Sequence, residues 1–190
     1  MHERTQPVIR PCRDDETDAM LAVINAAAQA YRGVIPADRW HEPYMAASEL
    51  RSELASGVAF VACEVEGAIG GVMGIQPVRN VDLIRHAYVL PEHQGRGLGR
   101  ALLAHLRART ERPILIGTWA AATWAVAFYE RHAFHLVPDA AKALLLRTYW
   151  NIEERQIETS VVLSAPRLTV PQAGELVDRA RRAMADGGRS

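Results

Sequence analysis

Leu83-Ile84-Arg85-His86-Ala87-Tyr88-Val89-Leu90-Pro91-Glu92-His93-Gln94-Gly95-Arg96-Gly97-Leu98-Gly99-Arg100-Ala101-Leu102-Leu103 decides the fold. Leu83 to Leu90 reads as a strand stopped by Pro91. Beyond the loop, Leu98, Leu102, Leu103 and Leu106 recur at helical spacing, so a helix follows with one apolar face. Gly95, Gly97 and Gly99 open that helix and leave successive backbone N–H groups unobstructed, a nest suited to an anion. Arg96 and Arg100 add charge beside it, and Arg107, Arg109 and Arg112 are predicted to continue a basic stripe down the same helix. Residues 91–112 hold five Arg against two Glu, so a polyphosphate is the natural guest. A plain tight connection is the reading the loop alone leaves open.

Working outward, Val8 to Arg10 reads as a strand and Asp14-Asp15-Glu16 as an acidic helix start. Met20, Val23, Ile24, Ala27 and Tyr31 put an apolar stripe along residues 17–31, ended by Gly33. Residues 34–45 read as a loop with a helical turn, and Ala46 to Leu54 as a helix. Val58 to Val65 and Ile69 to Ile75 form a hairpin about the Glu66-Gly67 turn. Downstream, the pattern predicts strands at Ile114–Trp119, Phe134–Val137 and Ile157–Leu163, with helices at Thr123–His132 and over 139–149. The fold class is therefore mixed α/β, with a mostly antiparallel twisted sheet flanked by helices.

At 190 residues the length is that of one domain, and 22 basic residues balance 22 acidic ones. Every basic residue is Arg except Lys142, which has no glycine near it. That context excludes a Walker-type phosphate loop and gives no ground for a pyridoxal Schiff base. A dinucleotide fingerprint needs Gly where Arg100 stands, and the loop lies mid-chain, so a dehydrogenase is disfavoured. A pI near 7.1 argues against a nucleic-acid partner. No apolar run is long enough to cross a membrane, and the polar start carries no export signal, so the expected location is cytoplasmic. Cys12 and Cys63 are expected to be unpaired. His132 and His135 lack acidic or Cys partners nearby, so no metal is expected.

The segment from Val89 to Leu103 resembles the central motif of the GNAT superfamily of acetyl-CoA-dependent N-acyltransferases, [RQ]-x-x-G-x-[GA], with Gln94, Gly97 and Gly99 at its fixed positions. Ala125-Val126-Ala127-Phe128-Tyr129-Glu130-Arg131-His132-Ala133-Phe134 is similar to the family's A-x-x-F-Y-x-x-x-G-F segment. The resemblance spans residues 7–164. On this basis residues 1–166 are expected to form one GNAT-like domain, and 167–190 an Arg-rich tail that is either helical or disordered. Two positions depart from the pattern. Ala133 replaces a Gly and points to a different helix end, and Ala122 replaces an Asn that contacts the cofactor.

The resemblance implies acetyl transfer from acetyl-CoA by direct attack of a primary amine of a small molecule or peptide. The cofactor site implied comprises Ala87, Tyr88, Val89 and Leu90 on the strand, with Gln94, Gly95, Arg96, Gly97, Leu98, Gly99 and Arg100 in the loop and helix start. The pantetheine arm would pair with Ala87 to Val89, and a backbone N–H near Val89 or Leu90 would polarise the thioester oxygen. Tyr129 holds the family's general-acid position, and a phenol's ordinary pKa near 10 suits a thiolate leaving group. A Tyr packed in the core is the alternative. For the base, His86 and Glu42 are rival candidates, and water a third. Tyr31, Trp40, His41, Tyr44, Trp119 and Trp124 are the candidate acceptor-site residues, although the same rings could simply pack the loop onto the sheet. An inactive acyl-CoA-binding sensor or interaction module of the same fold is the competing reading, and a homodimer is left open. Nucleotide-dependent phosphoryl transfer is disfavoured by the missing loop Lys.

Overall fold

The computed structural model describes residues 7–187. The polar start at 1–6 and the last three residues of the tail, on which two expectations rest in part, lie outside the described residues. The chain divides into two compact units, one comprising the residues up to Gln76 with Ile84–Glu111, the other Pro77–Leu83 with everything from Arg112.

In the first unit β1 (Val8–Pro11), β2 (Ala59–Val65) and β3 (Ala68–Val78) pair antiparallel, and the later part of β4 (Val81–Val89) lies beside β3. Glu66 and Gly67 both take positive φ, 52° and 82°, the geometry that a two-residue hairpin with native twist demands. Met20, Val23 and Ile24 of α1 (Thr17–Ala28) and Leu50 of α2 (Ala47–Ala55) are buried with Phe60, Ala62 and Val72 of the sheet. Each of these side chains other than Ala62 contributes roughly 1.5–3 kcal/mol of hydrophobic stabilisation. The apolar stripe predicted to Tyr31 is α-helical only to Ala28. Residues Gln29–Tyr31 tighten into a 3-10 turn before Gly33, at φ 75°, reverses the chain. At the open edge, Arg10 bridges Glu16 and Glu64, and Glu16 also accepts the Arg13 N–H at 2.7 Å. Cys12 and Cys63 are free thiols, and burial pushes the Cys12 thiol up to about 12.

The glycine loop leads into α3 (Leu98–Arg107), whose Leu98, Leu102, Leu103 and Leu106 are all buried. Two glycines of β3 make room for it. A Cβ on Gly70 would lie 2.9 Å from the His93 ring and 3.3 Å from Leu98, and one on Gly71 would lie 3.3 Å from Leu102. The predicted basic stripe is shorter than expected, because the helix ends at Arg107. Arg109 follows it, and Arg112 belongs to the second unit, where its guanidinium lies 3.2 Å from the buried Asp82 carboxylate and donates to the Arg79 carbonyl.

In the second unit β7 (Ser160–Ala165) lies between β5 (Ile114–Trp119) and the two-residue β6 (His135–Leu136), antiparallel to both. α4 (Thr123–Glu130) and α5 (Asp139–Tyr149) fall where the apolar spacing put them. The last strand does not start at Ile157. Residues Glu154–Thr159 form α6, the N–H groups of Gln156 and Ile157 bond to the Glu153 carbonyl, and Ile157 is buried in the core. Tertiary burial outweighs β-branched propensity there. Of the two expectations for the tail, the helix is found, as α7 (Val170–Gly187). Leu176, Val177 and Ala180 pack with Leu145 and Tyr149 of α5, and the Tyr149 hydroxyl and Asn80 amide anchor the helix through Asn80 and the Leu176 carbonyl. Among the described residues no helix is long and apolar enough to cross a membrane.

Candidate active site

Gly95 and Gly97 take φ of 73° and 87°, the left-handed conformation that glycine adopts without steric cost, and a Cβ on either would meet nothing within 4 Å. The loop therefore opens onto free space. Gly97 is the N-cap of α3, and no side chain caps that end. Helix-start N–H groups and the positive end of the helix dipole are thus presented without a built-in side-chain acceptor. Gly99 lies in the first turn, and Arg96 and Arg100 on either side of it are exposed. A loop and helix start of this kind suit an anion.

Ala87, Tyr88, Val89 and Leu90 are half-buried at the end of β4. The Leu90 N–H is committed to the Gly70 carbonyl at 2.9 Å, so it is not a donor for a thioester oxygen; of the two expected candidates Val89 is left. The exposed Gln94 folds back and donates its side-chain N–H to the Val89 carbonyl at 3.1 Å.

Four of the expected acceptor-site residues meet in one cluster. Tyr44 stacks on Tyr31 with centroids 6.0 Å apart, and Trp40 and His41 approach it at 5.6 and 6.2 Å. Tyr88 of β4 meets Tyr31 and Tyr44 edge-on at 6.5 and 6.4 Å, joining the acceptor loop to the expected cofactor strand. The Asn25 side chain holds the base of this loop, accepting the Met45 N–H at 2.8 Å and donating to the Met45 carbonyl at 3.0 Å. Trp119 of β5 and Trp124 of α4 belong to the second unit, with Trp124 exposed.

His86 has φ of 52° in the middle of β4, a sparsely populated conformation for a residue with a Cβ. Its ring stacks on Phe60 at 5.7 Å, and its Nε2 lies 3.2 Å from Glu53 Oε2. Glu53 Oε1 accepts from Arg85 at 2.9 Å, and Arg85 donates also to Gln76. Burial pushes the Glu53 carboxyl up, but contact with His86 and the charge of Arg85 outweigh it and hold the group below its ordinary range. Glu42 differs: it is exposed and ion-paired with Arg32 at 3.3 Å. Glu53 was not singled out in the sequence. Thirty-two residues lie between it and His86, and no local spacing signals such a pair.

Tyr129 is buried in the second unit, edge-on to Phe128 and Phe134 at 5.1 and 5.9 Å. The helix end after it is not the altered one that Ala133 led us to expect. Ala133 takes φ of 61°, the Phe134 N–H reaches the Tyr129 carbonyl and the Ala133 N–H reaches that of Glu130, the pattern that usually employs glycine at this place. Ala122 is buried at the N-cap of α4, whose start has no side-chain cap. Nδ1 of His132 bonds to the Phe128 carbonyl at 2.7 Å, and among the described residues no cluster of three His, Cys, Asp or Glu could hold a metal.

Residues 55–136 match the model of the acetyltransferase (GNAT) domain. No curated protein matches the sequence. Among solved structures, a GNAT-family acetyltransferase from Staphylococcus aureus Mu50 superposes with a TM-score of 0.62 at 15% identity, over 83% of this chain and 97% of that one. A PaiA N-acetyltransferase from Thermoplasma acidophilum in complex with coenzyme A gives 0.60 at 12% identity, covering 84% and 98%. The ribosomal-protein-S18-alanine N-acetyltransferase from Escherichia coli gives 0.57 at 16%, covering 84% and 92%. At these identities the likeness concerns the fold, and the domain match concerns the sequence from the end of α2 to β6. The chain thus has the fold of the GNAT acetyltransferases, and its residues 55–136 match their domain model.

Proposed function

We propose that the protein is an acetyl-CoA-dependent N-acetyltransferase acting on a primary amine of a small molecule or peptide. The observation that carries the reading is the open start of α3, where Gly95 and Gly97 in left-handed conformation, the absence of a side-chain cap and exposed Arg96 and Arg100 suit a pyrophosphate. The solved relative with coenzyme A bound and the N-acetyltransferases among the structural neighbours support the choice of donor and acceptor. A cytoplasmic site of action accords with this chemistry.

Acetyl-CoA supplies the activated acyl group. The loop from Gln94 to Arg100 binds its pyrophosphate through backbone N–H groups and Arg charge. The edge of Ala87 to Val89 pairs with the amide-rich arm, and the Val89 N–H is the remaining candidate to polarise the thioester oxygen. His86 takes a proton from the ammonium form of the substrate, so that the neutral amine can attack the carbonyl carbon. Tyr129, in the role its motif implies, donates a proton to the sulfur as the C–S bond breaks. The ring cluster of Tyr31, Trp40, His41 and Tyr44 offers an apolar, π-rich wall to the acceptor, which fits an aromatic or cationic amine.

The inactive-module reading makes a different prediction for one variant. Tyr129→Phe should cut turnover while acetyl-CoA affinity is unchanged. A wild-type protein that binds acetyl-CoA and acylates no amine would favour the module. Thermal shifts with acetyl-CoA, NADP and ATP compare the donors, and stabilisation by ATP alone would overturn the proposal.

A further inference from the structure

The pair of buried atoms between α2 and β4 has an unusual state. His86 Nε2 and Glu53 Oε2 face each other at 3.2 Å, both out of contact with solvent, yet neither completes a hydrogen bond of good alignment. An under-satisfied buried donor and acceptor cost free energy, and a charge-assisted contact between the same atoms is shorter and stronger than a neutral one. The pair therefore gains most when His86 carries a proton. Nothing else about Glu53 is loose, because its second oxygen is fixed by Arg85, which is itself held by Gln76. His86 is fixed too, by the Phe60 ring against which it stacks and by the left-handed backbone that aims it. Strain of this kind persists where the surroundings over-determine it, and it concentrates at functional sites.

We infer that Glu53 is the positioning residue for His86, holding the neutral imidazole in its Nε2–H tautomer and stabilising the imidazolium formed during amine acetylation. This deepens the proposed function and rests on it. With Nε2–H directed at Glu53, the lone pair of His86 Nδ1 is the one that accepts the proton. The substrate ammonium gives that proton to Nδ1, and the resulting amine forms the C–N bond as the C–S bond breaks. The nitrogen's second proton leaves to solvent, and the thiolate takes its proton from the acid. No redox partner is needed. The groups facing His86 are Phe60 from β2, which is uncharged, and Glu53 from α2. Arg85, on its own strand, reaches the pair through Glu53.

The test is Glu53→Gln, compared with His86→Gln and the double variant. If the two residues act as a unit, Glu53→Gln lowers kcat/KM about 10- to 100-fold. The double variant is then no worse than His86→Gln, and acetyl-CoA affinity by calorimetry is unchanged in all three. Additive losses, or a Glu53→Gln kcat/KM equal to that of the wild type, would overturn the inference. A second readout needs no turnover: the 15N shifts of the His86 ring should report the Nε2–H tautomer in the wild type and a mixture in Glu53→Gln, and identical spectra would count against it. If the wild type acylates no amine while the spectra change as expected, the proposed function fails and the positioning of His86 by Glu53 stands.

Discussion

Phe134 meets Tyr129 edge-on, with ring centroids 5.9 Å apart, and donates its backbone N–H to the Tyr129 carbonyl at 3.1 Å. Phe134 thus both closes α4 and packs against the candidate acid. The residue between helix and strand that permits this is Ala133, held at φ of 61°.

Ala133→Gly should therefore stabilise the protein. Left-handed backbone costs an L-residue roughly 1–2 kcal/mol, and the extra unfolded-state freedom of glycine returns about 0.4–1 of that. A net gain of about 0.5–1 kcal/mol is expected in urea unfolding, with turnover unchanged. A lower midpoint would contradict the reading of the helix end.

Acid should expose the Arg10–Glu16–Glu64 bridge. Hydrogen bonds from Arg10 hold the Glu16 carboxyl at about 2, well below its usual 4.5, against burial that acts the other way. A depressed carboxyl contributes stability above its unfolded pKa and loses it as pH falls through the folded one. Glu16→Gln should cost about 2 kcal/mol at neutral pH. The gap to the wild type should close between about pH 4.5 and 2, and a gap independent of pH would be the contrary result.

Gly70→Ala tests the seat of α3. The new Cβ would press on the His93 ring and on Leu98 at the start of α3. Overpacking of this kind costs about 1–3 kcal/mol. Acetyl-CoA affinity should fall in calorimetry more than acceptor KM changes, and an unchanged affinity would show that the loop does not depend on this contact.

Asn25→Asp removes the donor to the Met45 carbonyl and sets a carboxylate against it. The loop carrying Trp40 and Tyr44 should loosen, raising acceptor KM several-fold while acetyl-CoA KM stays the same. A proportional change in both would argue that the clamp serves stability alone.

The local patterns carried much of the fold. Two apolar runs about the Glu66-Gly67 turn located β2 and β3, and the leucine spacing located α3, because that helix buries one face. Ile157 misled, since its β-branched side chain is buried by a helix that only the tertiary core selects. The ring cluster around Tyr44 assembles four residues already legible as large aromatics in a proline-bearing loop, with Tyr88 added by the sheet. Glu53 was out of reach, because its meaning depends on a partner on another element. Gly70-Gly71 did carry a readable signal: adjacent glycines inside a strand mark a close approach, here by α3 and the segment before it.

The proposed reaction is acetyl transfer to an amine by the loop and residues described. Its most direct measurement is thiol release from acetyl-CoA across a panel of primary amines, with the products weighed by mass spectrometry. At least one aromatic or cationic amine should be converted to its N-acetyl form with one thiol released per product, and Tyr129→Phe should slow this. Binding of acetyl-CoA with no acetylated amine and no thiol release across the panel would contradict it.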